Sequence, residues 1–405
     1  MVMGDVELSE PAEFLEGRLC WVTHFGGPPP TDTVRFHYFS IDDVLVYEPF
    51  FKDFGPLNLA MTYRYCKMVD EKLNDPLLRQ KKIVHYTSSD ARKRTNAAYL
   101  IGAYMVIVKR LSADAAYRPL LSFSQSLIPF RDASANLNGN LFPLTVLDCL
   151  RGLQKSMEVG LFDWERFDVE TYEFFEKVEN GDLNWILPNK FIAFAGPSPT
   201  AVDEDGFPAF TPEDYVPIFL DAGVRLVVRL NKRQYDRKRF IDHGIKHADL
   251  FFADGTCPPA DIISKFFKIT ESEPGPCAVH CKAGLGRTGT LIGLFAMKHC
   301  RFPSKAFIGW NRICRPGSIL GPQQQFLVDM EQSMFQAGEL SRRPRALPAS
   351  KEEESLAAKM KVLALRELSA AEKTEDVGQG EALCRARRVV TATPILTTSG
   401  NSRWR

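Results

Sequence analysis

Residues 277–290 read CAVHCKAGLGRTGT. The opening CAVH has the apolar character of a short buried strand, and from residue 291 onward LIGLFAMK carries helical spacing. Between them lies a turn with glycines at 284 and 286. A strand that meets a helix through such a turn lets backbone N–H groups converge at the positive end of the helix. That arrangement cradles a tetrahedral dianion. Arg287 adds a planar fork that matches two phosphate oxygens. Cys281 sits at the base, where the positive field favours the thiolate. A thiolate beneath a bound phosphate is a nucleophile aimed at phosphorus.

Working outward, strand–loop–helix units recur. In the C-terminal half KFIAFAGP, VRLVVRL, ADLFFAD and PCAVHC read as strands. TPEDYVPIFLDAG is a helix with Thr211 as its cap, Pro212 in the first turn and Gly223 past its end. PPADIISKFFKI is another, and 286–300, 303–314 and 321–338 complete the series. In the N-terminal half, residues 18–40 read as two strands bridged by GGPPP, 56–75 as a helix, IVHY as a strand and 96–111 as a buried helix. The segment FPLTVLDCLRGLQKSMEVGLF is a further amphipathic helix. Strands alternating with helices imply an α/β fold with mostly parallel sheets. Residues 84–95, VHYTSSDARKRT, echo 279–290, VHCKAGLGRTGT, with His85 and Arg92 spaced like His280 and Arg287. Tyr86 replaces the cysteine and the glycines are missing, so the earlier loop is expected to be catalytically silent.

Composition narrows the function. The chain has 405 residues, 45% apolar and 25% charged, with a net charge of +1, so no global field recruits nucleic acid or a membrane surface. No apolar run is long enough to span a bilayer, and the acidic MVMGDVELSEPAEF lacks a signal-peptide core. The nine cysteines include no C-x-x-C pair, which points to a reducing intracellular setting rather than disulfides or zinc.

The remaining chemistry is assigned by residue type and place. The phosphate-binding loop is Lys282, Ala283, Gly284, Leu285, Gly286 and Arg287. The Thr288 hydroxyl is placed to donate to the departing sulfur. Asp254, on the Gly-containing turn of FFADGTCPP, is the candidate general acid. Gln324 or Gln325, in GPQQQF, is the candidate for orienting water, and His280 is expected to support the loop from below. No metal and no cofactor is called for, because the loop and Arg287 supply the positive charge.

These residues resemble the cysteine-based tyrosine and dual-specificity phosphatases. The blocks NGDLNWILPNKFIAFAGP, RLNKRQYDRKRF, DLFFADG, HCKAGLGRTGT and RICRPGSILGPQQQFL are similar to the Cdc14 (cell-division-cycle) family, over about residues 10–340. The resemblance implies two tandem dual-specificity-phosphatase-like domains. A non-catalytic domain at 1–155 would be joined by an acidic linker helix at 156–185 to a catalytic domain at 186–340, with a disordered tail at 341–405. The N-terminal domain would form one wall of the substrate groove. It implies Cys281 as nucleophile, Arg287 as phosphate binder and Asp254 as general acid. It also implies a preference for phosphoserine followed by proline and a downstream basic residue, reversing cyclin-dependent-kinase phosphorylation in cell-cycle control. Phosphothreonine, and phosphotyrosine in vitro, would also be hydrolysed. The partners would be phosphoprotein substrates of proline-directed kinases, in the nucleus or nucleolus and cytoplasm, with the centrosome or spindle as further locations.

Glu170, Glu173, Glu176 and Glu179 recur at i+3 steps with Asp182 beyond, an acidic stripe if the segment is helical. In the resemblance, Glu173, Glu176 and Asp182 line the substrate groove. Two other readings stay open. A phosphoinositide phosphatase would favour a second lysine where Leu285 stands, and a phosphopeptide-binding module would not need Cys281. In the tail, LAAKMKVLAL has the spacing of an export signal or a transient helix. RRPR (342–345) and RARR (385–388) read as import signals or solvated charge, and Thr393-Pro394 as a kinase site.

Overall fold

The computed structural model describes residues 6–134, 142–203, 206–342 and 378–391. These fall into two compact units, the second beginning at Asp168 and also including Phe50–Asp53 and Asp132. Each unit is built on a five-stranded sheet.

In the first unit the strands are β1 (Glu7–Leu8), β2 (Ala12–Leu15), β3 (Leu19–Gly26), β4 (Phe36–Phe39) and β5 (Lys82–Ser88). β5 lies between β3 and β4 and runs parallel to both, while β1 and β2 pair antiparallel with β3. The helices are α1 (Leu59–Asn74), α2 (Ala91–Ile107), α3 (Ala113–Tyr117) and α4 (Val146–Glu158). α2 follows β5 directly and is buried throughout Thr95–Ile107. The expected strand–loop–helix echo is therefore present.

The second unit opens with α5 (Val169–Glu176), then β6 (Leu183–Leu187) and β7 (Phe191–Phe194). It continues through α6 (Pro212–Asp221), β8 (Leu226–Arg229), α7 (Lys238–Ile241), β9 (Lys246–Asp249), α8 (Ala260–Ser272) and β10 (Cys277–His280). The helices α9 (Gly286–Cys300), α10 (Ser304–Cys314), α11 (Pro322–Arg342) and α12 (Gln379–Thr391) follow. The strand order is β6-β7-β10-β8-β9, with β10 central and parallel to β7 and β8. Every residue of β7, β8 and β10 is buried, as expected of parallel strands covered on both faces. α9 is buried from Gly286 to Met297 and packs on α10, α11 and β10. The Thr211 cap on α6 is realised as a reciprocal box with Asp214.

Three expectations are corrected. The acidic segment is not one helix over 156–185. α5 spans only Val169–Glu176, because Lys177 leaves the helix with extended geometry (φ −69°, ψ 143°). A short turn at Val178–Asn180 then leads into β6, paired antiparallel with β7. The strand read at ADLFFAD is displaced: β9 is Lys246–Asp249, which takes in only Ala248 and Asp249 of that run and pairs with β8 up to Arg229–Asp249. Thirdly, α12 lies inside the stretch assigned to a disordered tail. LAAKMKVLAL, most of RRPR and Thr393-Pro394 lie outside the described residues.

The two sheets share a device at the end of the central strand. His85 pairs with the Tyr65 hydroxyl (2.9 Å) and stacks on Phe39, with ring centroids 4.9 Å apart. His280 pairs with the Tyr235 hydroxyl (2.7 Å). Burial lowers both imidazoles from 6.5 to about 3. Both rings are thus neutral in the fold, while the unfolded chain takes up their protons below its own pKa of about 6.5. Their stabilising share is whole above that pH and is lost as pH falls from 6.5 toward 3. The slope is about 1.4 kcal/mol per pH unit for each ring. His247, lowered to about 4 chiefly by burial, adds to the second unit's share. Urea midpoints should fall between pH 6.5 and 4.5, and His280→Asn should make the second unit's transition less pH-dependent. An equally steep decline in that variant would assign the acid sensitivity to other groups.

Candidate active site

Cys281 follows the last residue of β10, and the loop 281–285 carries the chain into α9. The sulfur-bearing residue is only 3% exposed. Gly284 adopts φ +67°, and a Cβ there would lie 2.0 Å from the carbonyl oxygen of Phe194. Only glycine meets both conditions.

The orientation of the loop is set by its carbonyls. The Cys281 oxygen accepts from His280 Nδ1–H (2.9 Å), and the Lys282 oxygen from the Gly196 amide (2.8 Å). The Ala283 and Gly284 oxygens accept from Arg315 Nη2 and Nε, each at 2.9 Å. The Leu285 oxygen accepts from the Gly289 amide (3.0 Å) and the Ile319 amide (3.4 Å). With five successive carbonyls turned outward, the amides point to the other side. Among the described residues no protein group accepts from the amides of Lys282–Arg287. Unpaired amides gathered on one side of a loop suit an anion.

Arg287 is 1% exposed and donates through Nη1 to the Phe252 carbonyl (3.0 Å). Its Nη2 lies 3.1 Å from Asp254 Oδ1, and its buried Nε–H has no partner among the described residues, which fits a site for an oxyanion. Asp254 is also held by the Gly255 amide (3.1 Å). The Cys281 loop, Arg287 and Asp254 therefore form one cluster. The Thr288 hydroxyl is buried and makes no hydrogen bond, so the expected donation to the sulfur is not formed in this structure. Behind the loop runs a relay of neutral groups. His247 Nε2–H donates to Tyr235 (3.0 Å), whose O–H donates to His280 Nε2 (2.7 Å). His280, kept uncharged by burial, then donates from Nδ1 to the loop.

The glutamines are placed differently from the expectation. Gln324 is 2% exposed and its amide is committed to Arg312 (2.5 Å) and Asp132 (2.8 Å). Gln325 is exposed and donates to Asp329 (2.8 Å) along the outer face of α11. Gln323, passed over in the sequence, faces the loop. Its Nε2 donates to the Thr256 carbonyl (3.0 Å), and its Oε1 would lie 2.7 Å from a Cβ at Gly286. The three adjacent glutamines carry no sequence signal separating them, since one residue turns a side chain by about 100° around a helix.

Comparison with known proteins agrees with this geometry. Residues 13–156 match the family described as the dual specificity protein phosphatase N-terminal half. Residues 209–301 match one described as a DSP-PTPase phosphatase of a polymorphic toxin system. The chain is 50% identical over 313 residues to human dual specificity protein phosphatase CDC14C, covering 77% of this chain and 70% of that protein. The chain belongs to the Cdc14 family of dual-specificity phosphatases. It is also 53% identical over 338 residues to mouse CDC14A, covering 83% of this chain and 55% of the relative. The chain thus spans about half the length of the CDC14A relatives it matches.

In this Cdc14-family chain the acidic residues sit close to the loop. Gly181 (φ +112°) and Asp182 (φ +47°) are both left-handed, a turn that brings the Asp182 carboxylate inward. Its Oδ1 lies 2.9 Å from Arg315 Nη1, so the arginine that fixes the loop carbonyls also holds Asp182. Glu173 and Glu176 are half-buried on α5, with Tyr172 donating to the Glu176 carboxylate (3.4 Å) and to the Cys314 carbonyl (2.8 Å). Glu179 lies beyond the helix and leaves the stripe.

The first unit shows why its loop differs. Asp90 caps α2, its carboxylate accepting from the amides of Arg92 and Lys93, each at 2.9 Å. An internal anion thus occupies the helix end where the second unit leaves amides unpaired. Arg92 is exposed, unlike Arg287.

Arg315 had no sequence signal beyond an arginine before a proline, yet it organises the site. Arg315→Lys keeps a charge but loses the fork. Because displacements of this scale cost on the order of 10²-fold in rate, kcat/KM for an aryl phosphate should fall by about that factor. The affinity for orthovanadate should fall in parallel, measured on protein whose circular dichroism is unchanged. Unchanged kinetics would mean that the loop keeps its orientation without the fork.

Proposed function

We propose that this chain hydrolyses phosphate esters of protein side chains, phosphoserine and phosphothreonine above all, through a phosphocysteine intermediate. The observation that carries the reading is the cradle of unpaired amides between Cys281 and Arg287, with Asp254 against the same arginine. The Cys281 thiolate attacks phosphorus, the P–O bond to the substrate breaks, and Asp254 gives its proton to the leaving oxygen. Water then attacks the phosphocysteine, Asp254 takes a proton from it, and the S–P bond breaks to release phosphate and the thiolate. Gln323, held between Gly286 and Thr256, is the side chain best placed to orient that water. Arg287 serves both transition states by spanning the equatorial oxygens.

The substrate preference follows from charge. Asp182, 9% exposed and reinforced by Glu176 and Glu173, offers carboxylates beside the cradle. A basic residue downstream of the phosphosite is their natural counterpart, supporting action on Ser-Pro sites followed by Lys or Arg. Such sites are made by proline-directed kinases, whose phosphorylation this chain would reverse in the cell cycle. Leu285, where a lipid phosphatase would favour a lysine, is apolar and buried against Ala283 and Leu320, so the loop presents no extra cation for a second phosphate there.

Cys281→Ser should abolish phosphate release while leaving phosphopeptide binding measurable by calorimetry. Turnover in that variant would remove the phosphocysteine route. Asp254→Ala should slow hydrolysis of a phosphoserine peptide by about 10²–10⁴-fold and that of an aryl phosphate far less, since its leaving group needs little protonation. Equal losses on both would show that Asp254 is not the acid.

In a panel of pSer-Pro-x-Lys, pThr-Pro-x-Lys and pTyr peptides, changing Lys to Glu should lower kcat/KM by about ten- to a hundredfold. Indifference to that change would remove the acidic-groove reading.

A further inference from the structure

Behind the Cys281 loop the chain buries more polar groups than a brace for His280 requires. β8 and β9 run parallel, and their register sets Arg229 opposite Asp249. Arg229 is 2% exposed. Its Nε donates to Asp249 Oδ1 at 2.7 Å and its Nη1 to the Tyr235 carbonyl at 2.7 Å. The guanidinium lies over the Tyr235 ring, 4.6 Å from its centroid. The same Asp249 oxygen lies 3.9 Å from Nδ1 of His247, whose side chain has no exposed surface. That is beyond hydrogen-bonding range, and this Nδ1 has no partner among the described residues. Through its Nε2, His247 meets the Tyr235 hydroxyl, and Tyr235 meets His280.

These contacts fix where each proton sits. Burial keeps both imidazoles neutral, so each ring carries one proton. The Cys281 carbonyl can only accept, so His280 is protonated on Nδ1 and turns a lone pair on Nε2 toward Tyr235. The one Tyr235 proton must then point to His280, so His247 donates from Nε2 and keeps Nδ1 bare. A carboxylate near a bare Nδ1 favours the other tautomer, and Asp249 acting alone would draw the proton to that nitrogen. The remaining charges near His247, Arg237 and Asp236, act in opposite directions. Arg229 decides the matter by taking the Asp249 oxygen for itself. With the proton on Nδ1 of His247, every bond of the relay would reverse, and His280 would face the Cys281 carbonyl with a lone pair.

We propose that Arg229 and His247 are positioning residues for Cys281: Arg229 holds Asp249 off His247 Nδ1, which directs the hydrogen bonds from His247 through Tyr235 and His280 toward the Cys281 carbonyl and keeps that carbonyl turned out of the cradle. The proposal rests on the reading that the cradle's amides serve the substrate phosphate. The first unit argues that this lock goes with catalysis rather than with the fold. There His85 meets the Tyr65 hydroxyl through Nδ1, and its Nε2 has no partner among the described residues. Among those residues no second histidine donates to the Tyr65 hydroxyl. The silent loop therefore has the histidine–tyrosine brace without the means of setting its direction.

The test reads the protons themselves, on the full chain labelled with 15N-histidine. At about pH 8, above the ordinary imidazole range, long-range 1H–15N spectra should place the His247 proton on Nε2 and the His280 proton on Nδ1. A proton on Nδ1 of His247 would overturn the proposal without any variant. Arg229→Met should move both protons to the opposite nitrogens. It should also lower kcat/KM for a phosphoserine peptide by about ten- to a hundredfold, the scale of a small displacement at the reacting centre, with orthovanadate affinity falling in parallel. Two suppressors separate direction from packing. Arg229→Met with Asp249→Asn removes the carboxylate that draws the proton, and Arg229→Met with His247→Leu removes the ring that passes the reversal on. Both should recover most of the lost kcat/KM. An arginine that merely packs would cost the same in all three variants, and that result would overturn the proposal, as would unchanged tautomers in Arg229→Met. Reversed tautomers with unchanged kcat/KM would overturn it too, because the relay would then not position the cradle. Tautomers are read without turnover. Correct tautomers in a wild-type chain that releases no phosphate from any phosphopeptide would therefore sink the proposed function and leave the direction of the relay established.

Discussion

The outward pull on the carbonyls of residues 281–285 is the constraint on which the site depends. An unpaired carbonyl in so buried a loop would be costly, and one that turned inward would meet the anion with like charge. Each of the five is instead satisfied from behind, by the His280 ring, the Gly196 amide, Arg315, and the Gly289 and Ile319 amides. The amides are then left facing one side, where an anion would meet donors already in place. Arg315 carries two of these bonds and is itself fully buried, a charge that needs a counter-ion. Asp182 is that counter-ion. Asp182 and the loop 281–285 are therefore one electrostatic unit.

The two units solve one problem in opposite ways. A helix that begins where a strand ends leaves several amides without partners. In the first unit Asp90 supplies an oxygen to two of them. In the second, among the described residues, no side chain does so, which leaves the amides open to an anion. Tyr86 in place of cysteine is the visible sign in the sequence, but the capping carboxylate is the stronger physical reason that the first loop has no room for an anion. The histidines behind the two loops remain alike because their task, bracing the strand end against a tyrosine hydroxyl, is structural in both.

What the sequence conveyed follows from how local each signal is. Cys281, the glycines and Arg287 are adjacent in the chain, and α9 and β10 around them have unambiguous patterns, so the cradle was legible. Asp254 was legible through its turn. The acidic stripe was half legible: the i+3 spacing of Glu170, Glu173 and Glu176 is helical. The break at Lys177, however, has no glycine or proline to announce it, and β6 forms only because β7 offers an edge. β9 was displaced because LFF reads as strand by composition, while pairing with β8 decides where the strand stops. Arg315 and Gln323 act through partners remote in sequence, and nothing in their immediate neighbours marks them.

α12 was the least legible element, and its case is instructive about charge. Read alone, RARR is a solvated cluster, because isolated basic runs gain little from burial. The reading changes only when a buried acidic surface of matching spacing exists elsewhere in the chain. Carboxylates such as Asp182 are largely desolvated and attract any cation that reaches them. α12 brings two such cations, Arg387 to Asp182 and Arg388 to Asp203. The same helix places Gly380, with no side chain at all, beside Asp254, so charge and close backbone approach together seat it on the second unit.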